Sequence, residues 1–560
     1  MASVPDLNNG INVAKGDPAV NKTLVRGSYL IIFLLCIPLF FIGLGNPPLI
    51  DPDEPVYAAT GRTMLLSGHF AGWWSPHYNG ALWFDKPPMT YWLIGLSMKL
   101  FGGTALAARF PSAVCALLLV ILTGVLCKRL WPRTVLAGFW ASIAIATCVQ
   151  TVILARAAVT DMILALLLTM ALIGLWNWLI DERDLWSLVL MGAATGLSTL
   201  TKGPVAIVLV GGTVLFFLLI TKQASRLRNP FLWLSLFVAL LISLPWYLSM
   251  IHEHGNLFVQ GFLEANNLTR YVHSEHPQTS SPLWFAPVLL GFIFPWTVPL
   301  LFSVWAAVRS ARAGDRGALL AIIWIGWVFV FFSASQTKLL TYIYPLYPAA
   351  AVLIGRWVDS GPSRKERIAC GVVFATVAAL IAILLPGYVS RGNGLVSARS
   401  ILEQIGLVFA LSGIVCALVL LPAFERSSLT RQVVFIVSAV AIAAFFALVA
   451  IAPIWKQDLP DLSMRRLGSQ IKRLTPAGNS AIALALKKPS LVFYSSRNID
   501  FIEDRKMAVA AMKKRPYSIC IIKNTSGENP LVVMLKLFPP GTCKILSQSS
   551  AKYVLIKYQG

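Results

Sequence analysis

Charge is what this 560-residue chain has least of, and negative charge least of all: 24 Asp and Glu stand against 47 Lys and Arg. Charged residues make up 13% of the sequence, about half the ~25% usual for soluble globular domains. That deficit excludes a single large water-soluble enzyme. Disorder is excluded as well, because disordered chains are poor in aromatic residues and this one has 18 Trp and 30 Phe. No fixed-period repeat or low-complexity tract occurs, and no Gly-rich loop suited to cradling a nucleotide phosphate. CxxC and Cys/His zinc spacings are also missing. What is abundant is apolar surface, with 57% hydrophobic residues and a mean hydropathy of +0.71. The chain reads as a polytopic membrane protein.

A spanning helix needs ~20 mostly apolar residues. Such runs fall at 28–46, 106–127, 134–151, 162–180, 186–200, 204–221, 231–250, 284–305, 317–335, 339–356, 368–386, 401–422 and 432–452, which predicts about thirteen spans. The first is too long for a signal-peptide core and has no obvious small-residue cleavage site, so it reads as an anchor. With the N-terminal segment 1–27 in the cytoplasm, that segment and the short inner loops together carry 19 Lys and Arg and the longer outer segments only ten. This is the asymmetry that orients membrane proteins. The net charge of +23 is therefore assigned to topology and anionic lipid, not to nucleic acid.

Residues 28–455 form the predicted membrane domain, and composition changes after Pro453. The segment 456–560 has 18 Lys and Arg against six Asp and Glu. Strands are expected at 480–486, 491–495, 517–523, 544–547 and 553–558, with helices at 462–474, 504–514 and 531–538. The fold class is thus mainly α, a polytopic helical bundle with outer juxtamembrane helices and a small soluble α/β domain at the C-terminus, on the outer side. Cys520 and Cys543 lie in that domain, where an oxidising compartment would permit a disulfide.

Ionisable groups at membrane depth mark function by default, and here they gather on the outer side. The first outer segment holds Asp53, Glu54, Tyr57 and Arg62, then Asp85 and Lys86; Met89–Phe101 is too short to span and reads as an interfacial helix. Arg156 and Asp161 bracket the next outer turn, Lys202 and Lys338 mark two further junctions, and the loop 251–283 adds Arg270, Tyr271, His273 and His276. Each has an ordinary alternative: snorkelling for the lysines, capping or ion pairing for the acids, loop hydrogen bonding for the histidines. Their coincidence on one side favours a site.

These residues carry a resemblance. Asp53-Glu54 with Tyr57, Arg62-Thr63-Met64, Phe84-Asp85-Lys86-Pro87-Pro88, Arg156 to Asp161, Thr201-Lys202-Gly203-Pro204, Arg270-Tyr271 with His273, and Lys338 before Tyr342 to Pro348 occur in this order. Across residues 28 to about 350 the pattern resembles the polytopic lipid-linked-sugar transferases of GT-C type, and within them the bacterial aminoarabinose (4-amino-4-deoxy-L-arabinose) transferases of lipid A, relatives of protein O-mannosyltransferases. Val56 stands where that family usually has Arg before the Tyr.

The resemblance implies an inner-membrane enzyme with an undecaprenyl-phosphate sugar donor, a lipid A phosphate acceptor and an outer-face site. It implies Asp53 and Asp161 as catalytic residues, and Glu54, Tyr57, Arg62, Lys86, Arg156, Lys202, Arg270, Tyr271, Lys338 and Tyr342 as substrate-binding. No cofactor is required by this chemistry; a divalent metal at Asp85 with His273 or His276 is chemically open. A protein O-mannosyltransferase-like enzyme, another polyprenyl-phosphate-sugar transferase, or a lipid flippase or transporter are the competing readings. Transporters often show internal repeats and sites at the bilayer midplane.

Overall fold

The computed structural model describes residues 30, 32–46, 48–67, 70–273, 279–373, 376, 460–476, 478–515, 518–523, 538, 541–549 and 553–559. The predicted spans 401–422 and 432–452, residues 374–375 and 377–386 of the span 368–386, the helix 531–538 except its last residue, the N-terminal segment, the 455/456 boundary and His276 lie outside the described residues.

The membrane body opens with α1 (Ile32–Phe41). A group of short elements follows at one end of the bundle: α2 (Asp53–Leu66), the short α3 (Phe70–Trp74), a two-strand hairpin of β1 (His77–Tyr78) and β2 (Ala81–Leu82), and α4 (Met89–Phe101). The interfacial helix thus has the bounds expected of it. Then come α5 (Ala105–Leu130), α6 (Ala137–Thr147), α7 (Val149–Ala155), α8 (Asp161–Ile180), α9 (Leu185–Lys202), α10 (Val205–Ile220) and α11 (Pro230–His254). After an irregular π-wound stretch Val259–Thr269, the bundle continues with α12 (Phe285–Phe292), α13 (Thr297–Arg312), α14 (Arg316–Ala334) and α15 (Tyr347–Asp359).

Four of these, α5, α8, α11 and α14, are each long and apolar enough to cross a bilayer. Two predicted spans are broken. The run 134–151 bends by 66° between α6 and α7, and the run 284–305 bends by 113° between α12 and α13. The run 339–356 is likewise not one α-helix: turns and a 3-10 segment, Tyr344–Leu346, precede α15. An apolar window counts side chains and is blind to such breaks, which are tolerated at membrane depth only where freed backbone groups find partners inside the protein. Here the breaks serve one another. Val149 donates its backbone N–H to Phe294 O at 3.1 Å, and Trp296 Nε1 donates to Thr147 Oγ1 at 2.9 Å.

One end of the bundle is tied by basic loops. Trp131 Nε1 donates to Asp315 Oδ2 at 2.9 Å, Arg226 Nη1 to Leu179 O at 3.0 Å, and the N–H of Leu136 to Asp359 Oδ1 at 3.0 Å. The opposite end carries α2, α4 and the C-terminal domain.

That domain contains α16 (Pro460–Leu474), β3 (Ala481–Leu484), α17 (Pro489–Ser495), β4 (Ile499–Ile502), α18 (Arg505–Lys514), β5 (Ile519–Lys523), β6 (Cys543–Ser549) and β7 (Tyr553–Tyr558). Its sheet has the order β4-β3-β5-β7-β6, parallel across β4-β3-β5 and antiparallel beyond. Two expectations are corrected. The run 491–495 is helix, not strand: Pro489 occupies the first turn of α17, the position where its fixed φ and missing N–H suit a helix start. The edge strand β4 was not anticipated. Cys520 and Cys543 are both free thiols. They sit on β5 and β6 with β7 between them, so two strand spacings of about 4.8 Å each separate them, beyond the reach of a disulfide.

Candidate active site

The site is built on the N-terminal turn of α2. Glu54 is 4% exposed and Arg109 of α5 is 2% exposed, and they form a two-pronged pair: Arg109 Nη2 to Glu54 Oε2 at 2.6 Å and Nε to Oε1 at 2.8 Å. The remaining acceptor capacity of the carboxylate is filled by the backbone N–H of Ile50 at 2.8 Å and of Ala158 at 2.7 Å. Arg109 also donates to Leu44 O and Pro48 O. One buried carboxylate therefore joins α2, α5 and the turn that leads into α8. Close helix contact completes the platform: a Cβ on Gly61 would lie 2.9 Å from Tyr91 O, and one on Gly95 3.0 Å from Gly61 O.

Asp53, one residue before Glu54, begins α2 with its side chain open to solvent. Since residue 54 is bonded to residue 158, this carboxylate and Asp161 share the same end of the molecule. Although solvent reaches the side chain, the surrounding protein takes away part of the carboxylate's hydration and so raises the Asp53 pKa above the ordinary aspartate range, and the charges of Asp85 and Asp161 raise it further against the opposing pull of Lys86 and Arg270. Four of the sequence-derived candidates thus act electrostatically on a fifth.

Two ion-paired groups share this end with Asp53 and act on it. Lys86 Nζ donates to Asp85 Oδ1 at 2.8 Å, and Arg270 Nη1 lies 3.4 Å from the same oxygen. Burial lowers the Lys86 pKa, and Asp85 opposes that shift. In the second group, Lys202 at the end of α9 donates to Asp161 Oδ1 at 2.5 Å, with both side chains nearly buried. The Lys202 ammonium lies 4.7 Å from the centre of the Tyr342 ring.

The loop containing Lys338 holds Arg270 in place. Gln336 and Thr337 donate their backbone N–H groups to Tyr271 O and Arg270 O, and Thr337 Oγ1 donates to His273 O. Lys338 itself is buried and donates to Ser280 O and Ser335 O. Tyr271 Oη donates to Phe331 O at 3.3 Å.

Several candidates are placed away from open space. Glu54 is consumed by Arg109. Arg62 points into the C-terminal domain, donating to Phe493 O at 2.6 Å and Val492 O at 3.2 Å. Arg156 donates to Leu39 O at 3.0 Å, bracing α1. Tyr57 is buried, its ring 5.7 Å from that of Tyr91. Arg109 was not foreseen: it lies in an apolar run, and only the rarity of a charge inside such a run could have pointed to it. Asp85 already meets two cations, and no group of three His, Cys, Asp or Glu suited to a metal occurs among the described residues. With Asp85 engaged by Lys86 and Arg270, Asp85 and His273 do not fit a metal centre.

A helical membrane body with paired carboxylates and cations at one end, capped by a small α/β domain, fits the class to which comparison with known proteins assigns the chain, a GT-C type glycosyltransferase that uses a polyprenyl-phosphate-linked sugar. The family model of dolichyl-phosphate-mannose-protein mannosyltransferases matches residues 85–248. The undecaprenyl phosphate-α-4-amino-4-deoxy-L-arabinose arabinosyl transferase of Pectobacterium carotovorum is 30% identical over 410 residues, covering 70% of this chain and 71% of that protein. Its namesake, arabinosyl transferase 1 of Pseudomonas fluorescens Pf-5, is 32% identical over 375 residues, covering 64% and 65%. The crystal structure of ArnT from Cupriavidus metallidurans bound to undecaprenyl phosphate shares the fold, with TM-score 0.77 and 23% identity over 95% of this chain and 98% of that one. The chain belongs to the undecaprenyl phosphate-aminoarabinose arabinosyl transferase family.

Proposed function

We propose that the protein transfers 4-amino-4-deoxy-L-arabinose from undecaprenyl phosphate to a phosphate of lipid A at the periplasmic face of the bacterial inner membrane. The observation that carries this reading is the gathering of Asp53, the Asp85-Lys86-Arg270 cluster and the Asp161-Lys202 pair at one end of the bundle, close enough that Asp85, Lys86, Asp161 and Arg270 each act on the Asp53 carboxylate. An acceptor phosphate oxygen attacks the anomeric carbon of the sugar. The bond from that carbon to the donor phosphate oxygen breaks, and undecaprenyl phosphate leaves with the electron pair.

A phosphomonoester has its second pKa near ~6, so the nucleophile is ionised at neutral pH without a strong base. The demanding part is the charge that develops on the leaving group. Cations placed beforehand in a water-poor site meet that demand without reorganising during the reaction; Lys86 and Arg270 are assigned this role. Asp53 stabilises positive charge at the sugar carbon and orients the attack, while Asp161 holds Lys202. No cofactor enters the step.

Mass spectrometry of lipid A from cells with the wild-type gene, the Asp53→Ala variant, or no gene tests the proposal. Wild type should add the aminopentose mass to lipid A and the other two should not. An unmodified lipid A in wild-type cells that carry the donor would refute the assignment of acceptor, and full modification by Asp53→Ala would remove Asp53 from the site.

A further inference from the structure

The C-terminal domain reaches the segment that carries Asp53. Asp51 Oδ1 accepts the backbone N–H of Ser490 at 2.8 Å, and Oδ2 accepts the Ser490 hydroxyl at 2.8 Å. Lys488 Nζ stands 3.4 Å from the same carboxylate. Ser490 is fully buried and lies in the first turn of α17, where Lys488, the preceding residue, provides no side-chain cap. A membrane-domain carboxylate thus satisfies a helix N–H that the domain's own sequence leaves open, the role a local Asp or Ser ordinarily fills.

The other end of α17 is held in the same way. Arg62 of α2 donates to the carbonyls of Val492 and Phe493 and stacks over the Phe493 ring at 5.0 Å. Between these ends, Tyr494 Oη accepts the backbone N–H of Leu49 at 2.8 Å. Leu49, Val56 and Ala59 share one buried apolar cluster with Met464, Leu467 and Leu491. The turn 49–51 is therefore fastened to the C-terminal domain at Leu49 and Asp51, and Glu54 fastens the start of α2 to Arg109 and Ala158. Asp53 lies between these two anchors.

We infer that the C-terminal domain is part of the transfer site, with Asp51, through its double bond to Ser490, the positioning residue that sets the place and direction of Asp53. This rests on the catalytic assignment of Asp53 above. Its chemical content is geometric: displacement of a reacting group by ~1 Å costs on the order of 100-fold in rate, and loss of one anchor frees the turn immediately before Asp53.

The test uses the full-length enzyme in detergent or lipid, with undecaprenyl phosphate-aminoarabinose as donor and lipid A as acceptor. Asp51→Ala should lower kcat by roughly 100-fold at a donor KM changed by less than about twofold, because uniform ground-state binding is untouched. It should also move the acid limb of the rate profile, since Asp53 would take a new position among Asp85, Lys86, Asp161 and Arg270. Asp51→Asn should recover part of the rate, because its amide oxygen can accept from the Ser490 N–H while its NH2 donates to the Ser490 hydroxyl, at the loss of the Lys488 contact to Oδ2. Ser490→Ala, a milder change that removes one of the two bonds, should give an intermediate kcat.

Asn79→Ala is the structural control. Asn79 docks the same domain elsewhere, donating to Ile499 O at 2.9 Å and accepting from Ile499 N at 2.8 Å, so its loss should leave kcat unchanged. Full kcat in Asp51→Ala beside an inactive Asp53→Asn overturns the positioning role alone. Equal losses in Asp51→Ala and Asn79→Ala also overturn it, since both would then report loosened docking. Activity retained by Asp53→Asn overturns the catalytic reading, and the positioning role with it.

Discussion

Asp53 has its charged form disfavoured by partial loss of hydration and by the charges of two carboxylates, which makes its ionisation a measurable property of the site. If ionised Asp53 is the working form, activity falls as pH drops through its raised pKa, so the acid limb lies above the ordinary aspartate value near 3.9. Asp85→Asn removes a like charge and favours ionised Asp53; the limb should move to lower pH in a kcat profile, even where kcat itself declines from loss of the Lys86 and Arg270 partner. Stability runs the other way. The folded chain binds this proton more tightly than the unfolded one, so the stabilising contribution of Asp53 is full below the unfolded pKa and is lost as pH rises through the folded pKa. Asp53→Asn should therefore leave the thermal midpoint at neutral pH unchanged or raised while abolishing transfer, a pairing that thermal-shift and activity assays on one sample would check. Glu54 is the contrast. Its carboxylate is buried on Arg109, and removing one member of such a pair costs about 3–5 kcal/mol, so Glu54→Ala should lose folded protein before any kinetic effect can be read. The sequence could not separate these neighbours, because two adjacent acids look alike until a partner 55 positions away takes one of them.

At the scale of elements, what was legible depended on how local the cause is. Helix α4 has the bounds read from its apolar run, since Pro88 before it and Gly102 after it are local stops. The strands β3, β5, β6 and β7 also follow from short apolar runs. Helix α17 was misread because Leu491 to Phe493 are buried on all sides, and a continuous apolar run has no period to distinguish strand from helix. The broken spans were invisible because each break is repaired by the other, through Val149, Phe294, Thr147 and Trp296. Trp296→Phe removes the N–H and one ring of a buried indole, leaving Thr147 without that donor and a cavity beside it; the loss should exceed the ~0.5–1.5 kcal/mol of one such bond, read as a lowered midpoint with normal membrane insertion. Packing between α9 and α11 is tighter still. A Cβ on Gly192 would stand 2.4 Å from Ser235 O, and one on Gly196 2.8 Å from Ala239 O, the close backbone approach that small residues permit between membrane helices. Gly192→Val should therefore push α9 outward and carry Lys202, at its end, off Asp161. The expected result is a loss of both stability and rate, checked by thermal shift and transfer assays.

For the whole molecule, gathering of the site at one end was legible in the sequence because charge is so scarce that each outer ionisable residue stood out. The dependence of that end on the C-terminal domain was not legible, because its contacts join positions more than 400 residues apart, such as Asp51 with Ser490 and Arg62 with Phe493. Every residue assigned to the reaction precedes residue 350, so a chain ending near 455 retains all of the chemistry in a list of residues. It does not retain their setting. Truncation would uncover Leu49, Val56 and Ala59 from the apolar cluster they share with Met464, Leu467 and Leu491, strip Asp51 and Arg62 of their partners, and leave both charges against newly exposed apolar surface. Unpaired charge and uncovered apolar area each favour rearrangement of the turn before α2. The truncated chain should insert into membranes yet transfer no sugar. Size-exclusion chromatography and donor turnover on the same preparation would check this, and a monodisperse truncated chain with full turnover would show that the membrane domain alone holds Asp53 in place.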